Sequence, residues 1–239
     1  MSSVDNPYRA PQPIFAAQAT EEDRADFILK TYAHLIGAVL SFVALEAILL
    51  NLPGIENLVG LMLSGKFSWL IVLGLFMIVS WIANSWAMSA TSMVTQYLGL
   101  ALYVIAEAII FVPLLYIAAW RFGPTIIPTA ALATLVLFAV LSAVVFITRK
   151  DFSFLRSVLI FGGFAAMGLI VFAIVFGFVL GQIFTIAMIV LACGYILYYT
   201  SNVLHHYRIG QHVAASLALF ASVALLFWYI LQLLMSGRD

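Results

Sequence analysis

The segment TRKDFSFLRS, residues 148–157, holds four charged side chains within eight positions: Arg149, Lys150, Asp151 and Arg156. On either side the chain excludes charge, since residues 122–148 and 157–207 contain no Lys, Arg, Asp or Glu. Long uncharged stretches separated by a short basic segment are typical of helices that cross a lipid bilayer and are joined by a turn in water. The segment is therefore predicted to be such a turn.

The composition of the whole chain supports this interpretation. Of its 239 residues, 65% are hydrophobic and 8% are charged, and the mean hydropathy is +1.16. A soluble domain carries about 25% charged residues. One core cannot bury this much apolar surface, so lipid must cover the rest. The net charge of zero gives no sign of a nucleic-acid partner, and Cys193, the single cysteine, is interpreted as a packing residue.

Seven apolar runs approach or exceed the length of about 20 residues that a spanning helix needs. They cover residues 30–50, 68–88, 95–118, 125–147, 157–178, 182–203 and 213–235. Helices satisfy their own backbone hydrogen bonds in lipid, and the breaks between these runs leave no room for a soluble domain. The sequence thus predicts an all-α, polytopic membrane protein with a seven-helix transmembrane domain over residues 25–239.

The first 24 residues are polar and are predicted to be a mobile tail. Thr20 is predicted to cap the first helix, with Asp23 at its third position. With a cytoplasmic N-terminus, seven Lys and Arg residues lie inside and three lie outside, which satisfies the positive-inside bias. The inner seven are Arg9, Arg24, Lys30, Arg149, Lys150, Arg156 and Arg208, and the outer three are Lys66, Arg121 and Arg238.

Two carboxyl groups fall within the predicted spans. Glu46 is roughly 24 Å and Glu107 roughly 18 Å from the inner ends of their helices, so the two meet if those helices adjoin. Ionisable groups in lipid are functional candidates. For Glu46 the alternatives are an ion or proton site and an outer-interface residue reaching headgroups. For Glu107 they are such a site and a neutral carboxyl hydrogen-bonded within the bundle.

Four histidines and several glycines complete the candidates. His34 is expected to face a cytoplasmic vestibule or a neighbouring hydroxyl. His205, His206 and His212 lie at an inner turn, where pH sensing and contact with anionic lipid are both open. No Cys or carboxylate accompanies them in sequence, so neither a metal site nor a cofactor is predicted. Five glycines are expected at close helix contacts: Gly162, Gly163, Gly168, Gly177 and Gly181.

The segment TRKDFSFL, residues 148–155, resembles the signature of the Bax inhibitor family. FILKTYAHLIGAVLSF at 27–42 is similar to the first helix of that family, and residues 129–155 resemble its fourth helix and the following turn. YILYYTSNVLHH at 195–206 and LLFWYILQLL at 225–234 lie where its last two helices end. The resemblance spans residues 27–235 and implies seven helices, six of them around a central C-terminal helix.

The resemblance also implies a gate that this chain lacks. Family members that leak calcium use two Asp residues, one on each of the last two spans, latched by an Arg from the second span. Two close carboxylates in a low dielectric do not both ionise easily, which gives a pH switch. Here Tyr199 and Ser222 take the two Asp positions, and the second span, from about residue 68 to 88, has no Arg. The gate is therefore expected to be altered.

Two functions remain open on this basis. One is an ion leak, for calcium or protons, with a gate rebuilt around Glu107. The other is a regulatory membrane protein that binds and modulates a membrane-anchored protease or another membrane partner. No enzyme is predicted, because the chain has no Gly-x-Ser-x-Gly, no His-Glu-x-x-His and no Asp within a span. The expected location is the bacterial inner membrane.

Overall fold

The computed structural model describes residues 14–65, 67–89 and 92–238. The described residues form eight α-helices and no β-strand. The helices are α1 (Glu21–Leu50), α2 (Ile55–Leu63), α3 (Ser68–Ala87), α4 (Met93–Phe122), α5 (Ile126–Thr148), α6 (Leu155–Phe176), α7 (Gly181–His205) and α8 (His212–Ser236). All except α2 are long and apolar enough to span a membrane. The predicted all-α fold with seven spans is confirmed, and the protein is a multi-pass integral membrane protein.

Helix α1 begins as the sequence predicts. Thr20 is its N-cap, and the Thr20 hydroxyl accepts a hydrogen bond of 3.2 Å from the backbone N–H of Asp23. This bond satisfies one of the free N–H groups at the helix start, and three acidic residues in the first turn favour the positive end of the helix dipole.

Helix α2 was not predicted. Its nine residues are too few to span a bilayer, so a search for long apolar runs passes over them. Gly54, with φ of 85°, turns the chain into α2. Ile55 and Val59 then pack against Val112 of α4. This short helix covers one end of the bundle beside α1 and α4.

Helix α8 lies at the centre of the seven spans. It packs against α1, α3, α4, α5 and α7, and its Tyr229 shares a small cluster with Ala166 of α6 and Met188 of α7. This confirms the central C-terminal helix that the resemblance implied. Helix α4 is enclosed at least as fully as α8. In the most apolar 18-residue stretch of each helix, 72% of residues are buried in α4, against 61% in α8 and at most 22% in any other span. Side chains of α4 therefore face protein rather than lipid on most sides.

Among the glycines of the described residues, Gly99 on α4 comes closest to a neighbouring helix. A Cβ atom there would lie 2.5 Å from the carbonyl oxygen of Ala83 and 2.6 Å from the backbone N of Ala87. Both atoms belong to the α3 backbone region, which cannot move aside as a flexible side chain would. Gly99 thus lets α3 and α4 pack with their backbones in contact.

The glycines that the sequence singled out have different roles. Gly162 and Gly163 face α7, because an added Cβ would meet side chains of that helix at 2.8 Å. Gly168 has no atom within 4 Å of its Cβ position, so the expected close contact is absent there. Gly177 and Gly181 have positive φ and form the turn between α6 and α7 instead.

Part of the predicted tail is held against the turn between α7 and α8. Residues 1–13 lie outside the described residues. Ile14 accepts a hydrogen bond from Ile209 at 2.9 Å, and the N–H of Ala16 donates to Tyr207 at 2.9 Å. The guanidinium of Arg24 donates to the carbonyl of Ala16 at 2.8 Å. For residues 14–24 the structure therefore differs from a mobile tail, since backbone pairing and the early start of α1 fix this stretch.

The charged turn and the α7–α8 turn lie at the same end of the bundle, as predicted. Asp151 and His206 join them through a contact of 2.9 Å. At the other end, Gln182 lies beside Ser236 at 3.3 Å, and Arg238 donates to the carbonyl of Phe122 at 3.3 Å. Arg9 and Lys66, which entered the count of inner and outer charges, lie outside the described residues.

Candidate functional site

A cavity of about 950 Å³ opens within the bundle. Helices α4, α7 and α8 form its back wall, while α3 and α6 form its two sides without packing closely on each other. Its volume lies within the range of about 300–1,000 Å³ that is usual for ligand pockets. The lining is mostly apolar, with a few polar groups, so the position of those groups decides what the cavity can do.

Glu107 lies at the inner end of this cavity. It is 6% exposed, because α4 is enclosed by other helices. The hydroxyl of Tyr103, one helical turn earlier, donates a hydrogen bond of 3.0 Å to its Oε1. Glu107 also lines the cavity. A buried carboxyl group is thus presented to the cavity.

Tyr199 and Ser222, the two positions singled out by the family resemblance, line the same cavity as Glu107. Tyr199 stacks on Tyr195, with ring centroids 6.0 Å apart, while the hydroxyl of Ser222 donates to the carbonyl of Ala218 at 2.8 Å. The structure therefore brings together three of the predicted site residues. The hydroxyl side chains of Tyr199 and Ser222, at the positions where the resemblance implies a carboxylate pair, thus share the cavity with one carboxyl group.

Glu46 lies behind Glu107, on the face of α1 that packs against α4. It is 5% exposed, and neither of its carboxyl oxygens has a hydrogen-bond partner among the described residues. Helices α1 and α4 pack against each other, so Glu46 and Glu107 lie on adjoining helices. Glu46 does not reach the headgroups, because the same face of α1 carries Phe42, whose ring is 5.1 Å from that of Phe111 on α4.

Three buried hydroxyl groups lie beyond Tyr199, between α1, α5 and α7. Tyr32 lies beside Ser142 and Thr200, and the three hydroxyl groups are buried together. Buried hydroxyl groups pair with one another or with ordered water, so the three form a small polar cluster within the bundle. Sequence reasoning missed this cluster. In the sequence, the one sign of this hydroxyl cluster is that Thr200 directly follows Tyr199.

His34 lies apart from the cavity. Its Nε2 lies 2.9 Å from the hydroxyl of Tyr97, which confirms the expected contact with a neighbouring hydroxyl. Its Nδ1 lies 2.6 Å from the carbonyl of Lys30, and its ring centroid is 5.0 Å from that of His212. The pair of histidines was not predicted, because the two residues are far apart in sequence.

The charged turn forms an ordered connection to α7. Asp151 Oδ1 accepts from the N–H of Ser153 at 2.8 Å, and Asp151 Oδ2 lies 2.9 Å from His206. Slight burial acts to raise the pKa of Asp151, but hydrogen bonds from Ser153 and His206 outweigh it and hold that pKa below its ordinary value. Sequence analysis found no carboxylate near the histidines, and the structure corrects this for His206. The other three charged residues are exposed: Arg149, Lys150 and Arg156.

Two comparisons with known proteins bear on this arrangement. The family model described as "Inhibitor of apoptosis-promoting Bax1" matches residues 24–239. An uncharacterized protein of Pseudomonas aeruginosa, PA2604, is 30% identical over 169 residues, which cover 70% of this chain and 72% of that protein. The match to the family model extends over all seven spans, including the helices that carry Glu107, Tyr199 and Ser222. The chain therefore belongs to the Bax inhibitor family.

Proposed function

We propose that this protein is a non-enzymatic proton leak whose titrating group is Glu107, with Glu46 as its electrostatic partner. The observation that carries the proposal is the position of Glu107, a carboxyl buried in the bundle that lines the cavity. Intramembrane carboxyl groups that face a cavity mark proton relays and ion pathways. Tyr103 holds one oxygen of this carboxyl group, and the group lines the space through which water would reach it.

The outer half of the route is the cavity itself. It extends from Gln182 and Ser236, at the end of the bundle away from the charged turn, to Glu107 and Tyr199. By the rise of the α-helix, Glu107 lies about 22 Å along α4 from Phe122 at the mouth. Water that enters the mouth has a continuous space down to the carboxyl.

The inner half of the route consists of hydroxyl groups. Beyond Tyr199 comes the buried cluster of the Tyr32, Ser142 and Thr200 hydroxyls. The next residue, Ser201, contacts Asp151 at 3.4 Å at the charged end of the bundle. Hydroxyl groups both donate and accept hydrogen bonds, so such a series can pass a proton with the help of a few waters.

The same geometry argues against calcium as the transported ion. Calcium takes six to eight oxygen ligands and prefers carboxylates and carbonyls. Among the described residues that line the cavity, Glu107 is the single carboxylate, and Ser222 uses its proton on the carbonyl of Ala218. The site thus offers a calcium ion too little charge to replace its hydration shell.

The test is proton flux into proteoliposomes loaded with a pH-sensitive dye and driven by a potassium diffusion potential. The wild-type protein should admit protons faster than protein-free vesicles do, and Glu107→Gln should abolish the difference. Glu46→Gln should change the pH dependence of the flux without abolishing it. The matched control is Glu56→Gln on α2, an exposed carboxyl that does not line the cavity. Equal flux for Glu107→Gln and the wild type would rule out the proposal.

A regulatory role is the second candidate, and one observation favours it. The turn at residues 149–154 is fixed by Asp151 yet exposes Arg149, Lys150 and the ring of Phe154, which is 69% exposed. A rigid surface with cations and an aromatic ring suits a membrane-anchored protease or another membrane partner. Crosslinking from a cysteine at Ser153 in native membranes would test this, and a stoichiometric protease adduct would support it.

We also propose a cytoplasmic N-terminus in a bacterial inner membrane. The cations that the structure describes support this orientation, because the basic turn, Arg208 and the segment at residues 14–24 share one end of the bundle. Arg238 lies at the other end. The similar protein of Pseudomonas aeruginosa supports the bacterial membrane.

A further inference from the structure

The outer half of the cavity is more apolar than its inner end. Leu73 of α3 and Ile170 of α6 line its two sides, and Leu225 lies on its back wall. Trp69 and Trp228 stack there with ring centroids 6.2 Å apart. The carboxyl of Glu107 and the hydroxyl of Tyr199 belong to the inner end instead. The outer half is therefore a mainly apolar channel, with Thr185 and Gln232 also in its wall, above a polar floor.

This channel is open on the side between α3 and α6, which do not pack closely on each other. Apolar side chains at its rim are exposed: Met77 is 49%, Phe178 is 62% and Val179 is 94% exposed. In a membrane such an opening faces acyl chains. An apolar space of this size gains dispersion contacts when a chain fills it, whereas water would find few partners on its walls.

The channel is long enough to hold one acyl chain. Ser236 at the mouth and Ser222 at the floor are separated by about 21 Å along α8, from the rise of 1.5 Å per residue. The hydrocarbon of one leaflet is about 15 Å thick, half of a bilayer core of about 30 Å. A chain that enters from the outer leaflet fills the apolar part and ends before it reaches Glu107.

The mouth of the channel carries a cation. Arg238 is exposed, and its Nη1 donates to the carbonyl of Phe122, a residue that lines the cavity. Gln182 and Ser236 add amide and hydroxyl groups at the same rim. A guanidinium recognises phosphate through paired hydrogen bonds. We propose that this channel binds one acyl chain of an anionic phospholipid, whose phosphate lies against Arg238.

Lipid binding in this channel does not depend on the proton leak, although a bound lipid would affect the leak. A bound chain fills the space through which water reaches Glu107, so on the proposed function bound phospholipid would close the route. Binding is measured without any flux. If the protein binds the lipid but carries no protons, the lipid site stands and the proposed leak fails. If it carries protons but binds no lipid, the leak stands and the lipid site fails.

The test is native mass spectrometry of the purified full-length protein in mild detergent, with phosphatidylglycerol as the probe and phosphatidylcholine and palmitate in parallel samples. One phosphatidylglycerol should remain bound to the wild type. Leu73→Trp/Ile170→Trp, which fills the channel from both sides, should weaken its binding by about tenfold or more, equivalent to about 1.4 kcal/mol. Arg238→Gln should remove the preference for phosphatidylglycerol over phosphatidylcholine. Because Arg238 is exposed, that variant should fold normally.

The matched control is Ile183→Trp, which adds the same side chain at a position that is 86% exposed and outside the channel lining. It should bind phosphatidylglycerol as the wild type does. An equal loss of binding in the control and in the channel variant would overturn the proposal. So would a wild type that retains no phospholipid, or one that retains palmitate alone.

Discussion

The hydroxyl of Tyr103 donates a hydrogen bond of 3.0 Å to Oε1 of Glu107, one turn further along α4. The ring of Tyr103 is held in turn by the central helix, since it packs edge to face against Phe220 at 6.1 Å. The orientation of the Glu107 carboxyl is thus fixed through Tyr103 by α8. Any change in the packing between α4 and α8 reaches the carboxyl through this contact.

The Tyr103–Glu107 bond should appear as a coupling in a double-mutant cycle. Tyr103→Phe and Glu107→Leu should be less destabilising together than the sum of the two, by about 0.5–1.5 kcal/mol, a range typical of hydrogen bonds within membranes. The measurement is the free energy of unfolding in mixed detergent micelles. Tyr97→Phe with Glu107→Leu is the control and should be additive, because the Tyr97 hydroxyl contacts His34. Additivity in the first pair would contradict the assigned bond.

The close approach at Gly99 gives a stability prediction. Gly99→Ala should lower the free energy of unfolding by about 1–3 kcal/mol, the usual cost of overpacking, because the new Cβ would collide with the α3 backbone. Gly74→Ala on α3 is the matched control. Its Cβ position has no atom within 4 Å, so the same chemical change should leave stability within about 0.5 kcal/mol of the wild type or raise it slightly. Thermal unfolding in detergent measures both, and equal effects would contradict the assignment.

The location of the spans could be predicted from sequence, whereas the contacts between them could not. Apolar runs and basic turns indicate helices and topology because lipid excludes charge locally, residue by residue. Contacts such as that of His34 with His212 depend on which helix faces meet. When a span is apolar on all sides, its sequence gives little information about which of its faces meets a neighbouring helix. The site positions Tyr199 and Ser222 were identified through the family resemblance, and Gly99 was missed because no motif marks it.

The contact between Asp151 and His206 gives a pH-dependent prediction. Because hydrogen bonds hold the pKa of Asp151 below its ordinary value, its stabilising contribution is present above the unfolded carboxyl pKa of about 3.9 and is lost as the pH falls through the lowered value. Asp151→Asn should therefore lower the free energy of unfolding at neutral pH by at most about 1 kcal/mol, since the pair is exposed. Near pH 2 the variant and the wild type should converge.

Asp26→Asn is the control for that experiment. Asp26 pairs with Lys30 at 2.6 Å within α1 and joins no separate segments. Its replacement should cost no more than about 0.5 kcal/mol, the usual size of an exposed pair four residues apart. A difference between Asp151→Asn and the wild type that persists unchanged at low pH would show that the ionised carboxylate is not what stabilises this turn.

Topology is predicted through labelling by an impermeant thiol reagent. In a Cys193→Ser background, cysteines placed at Ser153 and Gln211 should react from the cytoplasmic side, and a cysteine at Ser236 should react from the opposite side. Cys193→Ser alone should not react from either side. Labelling of Ser153 and Ser236 from the same side would contradict seven spans, since the structure puts them at opposite ends of the bundle.

The last prediction concerns the altered gate. Wild-type protein should show no pH-gated calcium flux into proteoliposomes, because Tyr199 and Ser222 carry no charge near neutral pH. Tyr199→Asp/Ser222→Asp should gain a calcium flux that falls as the pH is lowered. Both positions line the cavity with Glu107, so the variant would place three carboxylates there, and neighbouring carboxylates bind either a divalent cation or protons.

Each single Asp variant should gain much less, because calcium needs several oxygen ligands. A strong pH-gated calcium flux in the wild type would instead assign the gate to Glu46 and Glu107. If the double variant folds but conducts no calcium at any pH, the two positions do not form a gate in this protein.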